Sequence, residues 1–245
     1  MSAIVNFVRL LVWLAAGLCV AIGPARAGSF QVNPIRVDMT KGATSASITL
    51  RNDGDEPIVV QSSIVGWSQD QGQDAYAPTG EALITPPIMT VAPGASQIVR
   101  IGLRRAPDPQ RELTYRIYLQ EVPPPPKPGF TGLQVALRVG LPVFVPPVAP
   151  AIRRLEWSAQ IRSGGIALAA QNSGNAHVQI SDFELRLPGA SEPIAHESSL
   201  AYVLAGQRRE WNLSVPADRV KAASELRLKA FTDAGEIDTT VNVEP

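Results

Sequence analysis

The stretch Leu133-Gln134-Val135-Ala136-Leu137-Arg138-Val139-Gly140-Leu141 carries a large apolar side chain at every second position. Because successive side chains of a β-strand point to opposite faces, this alternation predicts a strand with one apolar face. That face comprises Leu133, Val135, Leu137, Val139 and Leu141. The pattern alone fits two interpretations: an ordinary half-buried strand that faces its own core, or an edge strand that offers its apolar row to another molecule.

The residues before this strand favour the second interpretation. A run of four prolines, Pro123 to Pro126, leads on to Phe130, and such a loop is stiff and lacks N–H groups for pairing. A strand entered through this loop can lie at the edge of a sheet. Proteins normally avoid a long apolar row at an exposed edge, because it invites aggregation. Keeping one there indicates a partner whose own sheet is incomplete.

Working outward from this stretch, we predict an all-β chain. Its 22 prolines and 19 glycines fall between short runs rich in valine, isoleucine and leucine, which is typical of strands separated by turns. Strands are predicted from residue 58 and over residues 45–50, 97–103, 113–120, 133–145, 165–170, 178–187, 207–215, 226–231 and 237–243. The prolines of Pro146-Pro147-Val148-Ala149-Pro150 suit a short, stiff linker between two domains. We therefore predict an N-terminal domain over residues 28–147 and a C-terminal domain over residues 148–245.

Residues 1–27 have the pattern of a signal peptide. Arg9 precedes an apolar run from Leu10 to Ile22, and Ala25-Arg26-Ala27 supplies a cleavage site. Cleavage there removes Cys19 and leaves 245 − 27 = 218 residues without a cysteine, so burial alone must hold the exported fold. The whole chain has 22 basic and 22 acidic residues, a balance that offers no electrostatic footprint for nucleic acid.

Five local patterns, in order along the first domain, resemble the periplasmic pilus chaperones of the chaperone–usher pathway. They are Asn33-Pro34-Ile35-Arg36-Val37, Asn52-Asp53-Gly54 with Pro57, Pro86-Pro87-Ile88 with Gln97-Ile98-Val99-Arg100-Ile101, Arg111-Glu112 with Glu121-Val122-Pro123-Pro124, and the strand from Leu133 to Phe144. The run Tyr115-Arg116-Ile117 resembles the archaic branch of this family. The second domain resembles the family only loosely, chiefly through Asn172-Ser173-Gly174.

The resemblance implies two immunoglobulin-like β-sandwich domains at an angle, with a cleft between them. It also implies a periplasmic chaperone that folds, caps and delivers pilus or fimbrial subunits to an outer-membrane usher. The alternating row of residues 133–141 would complete a subunit that lacks one strand, which is donor-strand complementation. No ATP and no other cofactor is expected, and the free chaperone would be a monomer or a weak self-capping oligomer.

The resemblance further implies an anchor for the C-terminal carboxylate of the subunit. In better-known members an arginine on the first strand and a lysine late in the seventh strand form this anchor. Arg36 matches the arginine, whereas the lysine position falls at Pro142, which has no charge. Arg116 is the replacement that we predict, and Arg138 is a second candidate.

No enzymatic or metal-binding pattern is recognisable. The two histidines, His177 and His196, lack acidic or cysteine partners at metal-ligand spacing, and we expect surface or capping roles for them. Asp70 and Asp74 loosely resemble a calcium loop but fit a solvated hairpin better. Two rival functions remain open: a structural or adhesive two-domain immunoglobulin-like surface protein, and a periplasmic enzyme or ligand-binding protein on the same scaffold.

Overall fold

The computed structural model describes residues 30–126, 133–162, 164–198, 200–215, 220 and 223–244. The predicted signal peptide and residues 127–132 therefore lie outside the described residues. The first half forms strands β1 (Phe30–Asn33), β2 (Val37–Asp38), β3 (Ser45–Asn52), β4 (Ile58–Asp70), β5 (Gln73–Pro78), β6 (Ala82–Thr85), β7 (Ile88–Val91), β8 (Ser96–Leu103), β9 (Leu113–Glu121) and β10 (Arg138–Val145). The second half forms β11 (Leu155–Arg162), β12 (Gly165–Asn172), β13 (Val178–Arg186), β14 (Ala195–Glu197), β15 (Ala201–Val203), β16 (Arg208–Ser214), β17 (Glu225–Thr232) and β18 (Gly235–Glu244).

The first ten strands form two sheets that pack face to face. One sheet has the order β1-β3-β8-β6, and the other has the order β2-β10-β9-β4-β5 with β7 also paired to β4. Their inner faces share one core, which includes Ile48, Val99 and Ile117. Ile48 and Val99 alternate with exposed neighbours along their strands, as a two-layer sandwich requires.

The remaining strands form a second sandwich with its own core, which includes Leu168, Phe183 and Leu228. The long strand β18 joins its two layers, because it pairs antiparallel with β17 and parallel with β11. An all-β chain with two immunoglobulin-like sandwiches is thus confirmed. Within the described residues, no helix is long and apolar enough to span a membrane.

The same asparagine turn recurs in both sandwiches. Asn52 is fully buried, accepts a hydrogen bond from the N–H of Gly54 and donates its side-chain amide to two backbone carbonyls. Asn172 makes the corresponding bonds with Gly174 and two carbonyls of the second domain. A buried amide satisfied in this way fixes the loop between two strands, which explains why both asparagine–glycine turns are conspicuous in the sequence.

The two sandwiches contact each other through an aromatic cluster. Trp67 and Phe144 from the first domain pack against Tyr202 and Leu204 from the second. The β4–β5 hairpin adds a polar contact, because the carbonyl of Gly72 at its tip accepts the N–H of Glu210 at 2.9 Å. Gly72 has φ 77°, and a Cβ there would lie 2.6 Å from the Glu210 Cβ, so this close approach requires glycine.

The strand predicted over residues 133–145 is shorter than expected. Strand pairing begins at Arg138, and residues 133–137 do not belong to a strand. The reason lies on the partner strand: β9 ends at Glu121 and is followed by prolines, which have no N–H to donate. The other predicted strands lie within a few residues of the observed ones, and the predicted hairpin at Asp70–Asp74 is confirmed by the pair Asp70↔Gln73.

Candidate functional site

Residues 133–137, which we call the arm, leave apolar side chains bare. Leu133 is 88% exposed and Val135 is 60% exposed. Leu137 and Val139 are partly buried against the first core, and Leu141, 2% exposed, belongs to that core. The apolar row therefore continues beyond the part of β10 that is paired in the sandwich. Its C-terminal half packs inside its own domain, and its N-terminal half faces solvent.

The apolar row therefore divides into an exposed part and a buried part. Leu133 and Val135 are exposed, which a donated strand would require. Leu141 lies where an ordinary half-buried strand requires it, and this differs from its prediction as one member of a uniformly offered row. Leu137 and Val139 are partly buried and so lie between the exposed and the buried parts of the row.

The base of the arm is tied to the end of β9. The N–H of Glu121 donates to the carbonyl of Leu137 at 2.8 Å, and the N–H of Leu137 donates to a carboxylate oxygen of Glu121 at 3.3 Å. Further out, the side-chain amide of Gln134 donates to the carbonyl of Pro124 at 3.0 Å. These bonds hold the arm extended beside the proline run.

The outer edge of β10 is largely open. Among the described residues, the strand that pairs with this edge is β2, and it covers only Val143 and Phe144. The Phe144 carbonyl points to this edge, since it accepts the N–H of Met39 at 2.9 Å. Peptide groups alternate sides along a strand, so those of Gly140 and Arg138 point to the same edge, where no strand of the described residues pairs with them.

The predicted anchor residues lie in one row across this sheet. Arg116 on β9 is the cross-strand partner of Pro142 on β10, the very position of the family's lysine. Arg36 directly precedes Val37, which pairs in parallel with Val143, so Arg36 is level with Pro142 on the other side. The structure therefore brings Arg36 and Arg116 to the two flanks of Pro142. The pairing register brings them together, although they are 80 residues apart in the chain.

Arg36 is oriented by both domains. Its Nε donates to Asp38 Oδ2 at 2.7 Å, and one terminal nitrogen donates to Gln179 Oε1 of the second domain at 2.9 Å. Partial burial alone lowers the pKa of Arg36, but hydrogen bonds and attraction from Asp38 and Tyr202 outweigh it and raise the net pKa. The guanidinium is thus charged and held at the domain boundary.

Arg116 is a cation without a complete set of partners. Within the described part of the chain, its buried Nε makes no hydrogen bond, and its Cζ lies 5.3 Å from the ring centroid of Trp67. The side chain folds across Gly140, where a Cβ would lie 3.2 Å from the Arg116 Nε. An unpaired buried N–H on a cation is a costly arrangement that an anionic ligand would relieve.

Arg138, the second candidate for the anchor, lies elsewhere. It is exposed at the start of β10, and its Cζ lies 4.1 Å from the ring centroid of Tyr118. It precedes Gly140 by two residues and Pro142 by four, so its side chain faces the same side of the sheet as Pro142. It lies nearer the arm than Pro142 does.

The histidine expectation was wrong for His177. Its side chain is buried between the domains, its Nδ1 lies 2.8 Å from Glu112 Oε2, and its ring stacks on Phe144 with centroids 3.6 Å apart. Phe144 and Glu112 both come from the first domain, so tertiary packing decides the position of this histidine. His196 is exposed as expected and contacts Asp182 at 2.7 Å. Across the described residues, no group of three acidic, histidine or cysteine side chains is placed to hold a metal ion.

With this geometry established, comparisons with known proteins identify the class. The pili and flagellar-assembly chaperone family, through its PapD N-terminal domain, matches residues 29–151, half of the chain. The chain therefore belongs to this family and is a chaperone of pilus-subunit assembly.

Individual relatives agree with this assignment. Chaperone protein FimB/FhaD of Bordetella pertussis is 26% identical over 204 residues, which cover 78% of this chain and 80% of that protein. Chaperone protein PapD of Escherichia coli is 29% identical over 177 residues, which cover 68% of each chain.

Solved structures share the fold at lower identity. The CsuC–CsuE chaperone–tip subunit pre-assembly complex of the archaic Csu pili of Acinetobacter baumannii matches with a TM-score of 0.67 and 18% identity, covering 89% of this chain and 100% of that chain. The Salmonella enterica SafA pilin in complex with the SafB chaperone matches with a TM-score of 0.59 and 20% identity, covering 89% of this chain and 98% of that chain.

Sequence reasoning missed the part of the site that the second domain supplies. Tyr202 and Gln179 are cross-strand partners on β15 and β13, and Gln179 reaches Arg36. Neither residue stands in a distinctive local pattern. Only the contact between the domains brings them to the row of arginines.

Proposed function

We propose that this chaperone captures unfinished pilus subunits in the periplasm by donor-strand complementation, with the arm and the open edge of β10 as the donated strand. One observation carries the proposal: Leu133 and Val135 are largely exposed on the segment that leads into β10, and among the described residues β2 covers the outer edge of β10 only at Val143 and Phe144. An exposed apolar edge is a liability unless a partner regularly covers it.

Main-chain bonding would provide the first part of the interaction. The free peptide groups of Arg138 and Gly140 face outward along β10, and a subunit strand can pair with them whatever its sequence. This mode is strand addition to a sheet edge, in which alternate side chains fill pockets and give specificity. Leu133, Val135 and the partly exposed Leu137 would fill the pockets of the subunit, with Val139 and Leu141 supporting the strand from the chaperone's own core.

Arg36 and Arg116 would bind the subunit's terminal carboxylate. They flank Pro142, and the Arg116 Nε lacks a partner until an anion arrives. Fixing the end of the subunit fixes the register, because a one-residue slip would turn every apolar side chain to the wrong face. The role that a lysine plays in better-known relatives would here fall to Arg116, as the resemblance to the archaic branch suggests.

The remaining assignments complete the proposal. Chaperones of this family are periplasmic, and we propose that the chain delivers its subunits there to an outer-membrane usher. We place the boundary between the subunit-binding domain and the C-terminal domain at residues 147/148, and the signal peptide at 1–27. The chaperone would act without catalysis or ATP, because strand exchange between subunits provides the free energy for release. No observation favours the structural or adhesive alternative.

A capture experiment tests the proposal. Tagged chaperone, expressed beside the neighbouring pilin and usher genes, is purified from periplasm, and co-eluting proteins are identified. We expect a pilus subunit with the wild type and none with Leu133→Glu/Val135→Glu. The control is Ile98→Glu, which places one such negative charge at an exposed isoleucine on the opposite sheet and is expected to retain capture. Equal subunit recovery with the double variant would refute the donated strand.

A further inference from the structure

The second domain brings Tyr202 close to the two arginines of the proposed anchor. Gln179, which accepts a hydrogen bond from Arg36 at 2.9 Å, pairs across the sheet with Tyr202. Directly paired residues on neighbouring strands project to the same face, so the Tyr202 side chain lies beside that of Gln179. Tyr202 thereby reaches the arginine row from the opposite domain.

The ring of Tyr202 is rigidly held. Its centroid lies 5.5 Å from that of Trp67, 5.3 Å from that of Phe144 and 5.6 Å from that of His177. The Tyr202 carbonyl also accepts the side-chain amide of Gln69 at 2.6 Å. The Arg116 guanidinium also lies over the ring of Trp67, so the same indole contacts both Arg116 and Tyr202.

We propose that Tyr202 is the third ligand of the subunit's terminal carboxylate, so that both domains hold the subunit's C-terminus. This inference rests on the proposed function, in which Arg36 and Arg116 bind that carboxylate. A phenol can accept one hydrogen bond and donate another. In the free chaperone Arg36 is near enough to the Tyr202 phenol to act on it, because it works to lower the pKa of that phenol. When a carboxylate enters between the arginines, the hydroxyl turns and donates to it.

The hydroxyl is suited to donation. Burial raises the pKa of Tyr202, although Arg36 and Arg116 each act to lower it, and the net shift is upward. A raised pKa keeps the phenol protonated at neutral pH, so it carries the proton that it must donate. A carboxylate can accept hydrogen bonds from two arginines and a phenol. A terminal amide has an NH₂ group in place of one oxygen, so donors would face donors there. The site should therefore discriminate between an acid and an amide.

Two synthetic peptides test this assignment on the full-length mature chaperone. Both are alternating valine–threonine peptides of about ten residues, which at about 3.3 Å per residue span the stretch from the arm to Pro142. One ends in a free carboxylate and the other in a carboxamide. Wild type is expected to bind the acid about a hundredfold more tightly than the amide, and Tyr202→Phe to reduce that ratio by about tenfold through loss of one charge-assisted hydrogen bond.

Tyr76→Phe is the matched control. Tyr76 also lies near Arg116, but it sits on β5 with its side chain 42% exposed, and we expect its loss to leave the ratio unchanged. Tyr202→Phe keeps the buried ring, so its melting temperature should stay close to that of wild type. A merely structural role would weaken both peptides equally, and such a result would overturn the inference.

The outcomes separate this inference from the proposed function. If Arg36→Met abolishes the acid preference but Tyr202→Phe retains it in full, the anchor stands and the role of Tyr202 is refuted. If wild type binds neither peptide, or binds both equally, the carboxylate anchor itself fails, and the inference fails with it.

Discussion

Leu133→Ala and Leu141→Ala make the same chemical change at the two ends of one apolar row, and we expect opposite effects. Burying a leucine side chain is worth about 1.5–3 kcal/mol. Leu133 is 88% exposed in the free chaperone, so nearly all of that gain is available to subunit binding. Because alanine keeps the first carbon, we predict a loss of about 1–2 kcal/mol of binding, or about 5- to 30-fold in Kd.

The same residue contributes little to folding. A substitution at an exposed position usually changes stability by less than about 0.5 kcal/mol, so the urea midpoint of Leu133→Ala should match wild type. Leu141 is already buried in its own core, and its truncation should cost about 2–5 kcal/mol of unfolding free energy. The folded fraction of Leu141→Ala should bind the subunit nearly normally, because its backbone edge is unchanged.

Titration calorimetry with the purified subunit gives the binding term, and urea unfolding gives the stability term. The reasoning predicts that affinity is lost at one end of the row and stability at the other. A Leu133→Ala protein that is as destabilised as Leu141→Ala, or that binds the subunit with wild-type affinity, would refute it.

Three further changes test the cleft. Arg36→Met and Arg116→Met should each cost about 1.5–3 kcal/mol of subunit-binding free energy in calorimetry. Neither change should affect the binding of a subunit shortened by its last residue, because its carboxylate is out of register. Gly140→Ala brings a Cβ to 3.2 Å from the Arg116 Nε, so we expect several-fold weaker subunit binding. The melting temperature should be unchanged or higher. A lower melting temperature with normal subunit binding would contradict this reasoning. Glu112→Ala removes the carboxylate that contacts both the buried backbone N–H and the Nδ1 of His177, and it should lower the unfolding free energy by about 2–4 kcal/mol in urea. A neutral effect would show that the domain contact does not depend on this carboxylate.

Much of the fold follows from the sequence because alternation and turn residues act locally. The asparagine–glycine turns and the runs between them place most of the predicted strands within a few residues of the observed ones. The start of β10 could not be found in this way, because residues 133–137 have strand alternation but face the prolines after Glu121. Alternation predicts the direction of side chains, and it does not reveal whether a neighbouring strand is present.

The candidate site could also be predicted only in part, because local patterns do not show which strands lie side by side. The resemblance selected Arg36, and the departure at Pro142 drew attention to Arg116, but only the pairing register brings these residues to one row. Tyr202 and His177 owe their positions to contact between domains. No local pattern records such a contact, and for His177 the usual expectation of an exposed histidine gave the wrong answer.

Residue-by-residue amide exchange along β10, measured by NMR in the free and the subunit-saturated chaperone, tests the donated strand most directly. The amides of Arg138 and Gly140 point to the open edge, whereas those of Val139 and Leu141 face β9. We predict that Arg138 and Gly140 exchange rapidly in the free chaperone and slow by about a hundredfold or more on binding, with little change at Val139 and Leu141. Unchanged exchange at Arg138 and Gly140 in a saturated complex would contradict strand donation along this edge.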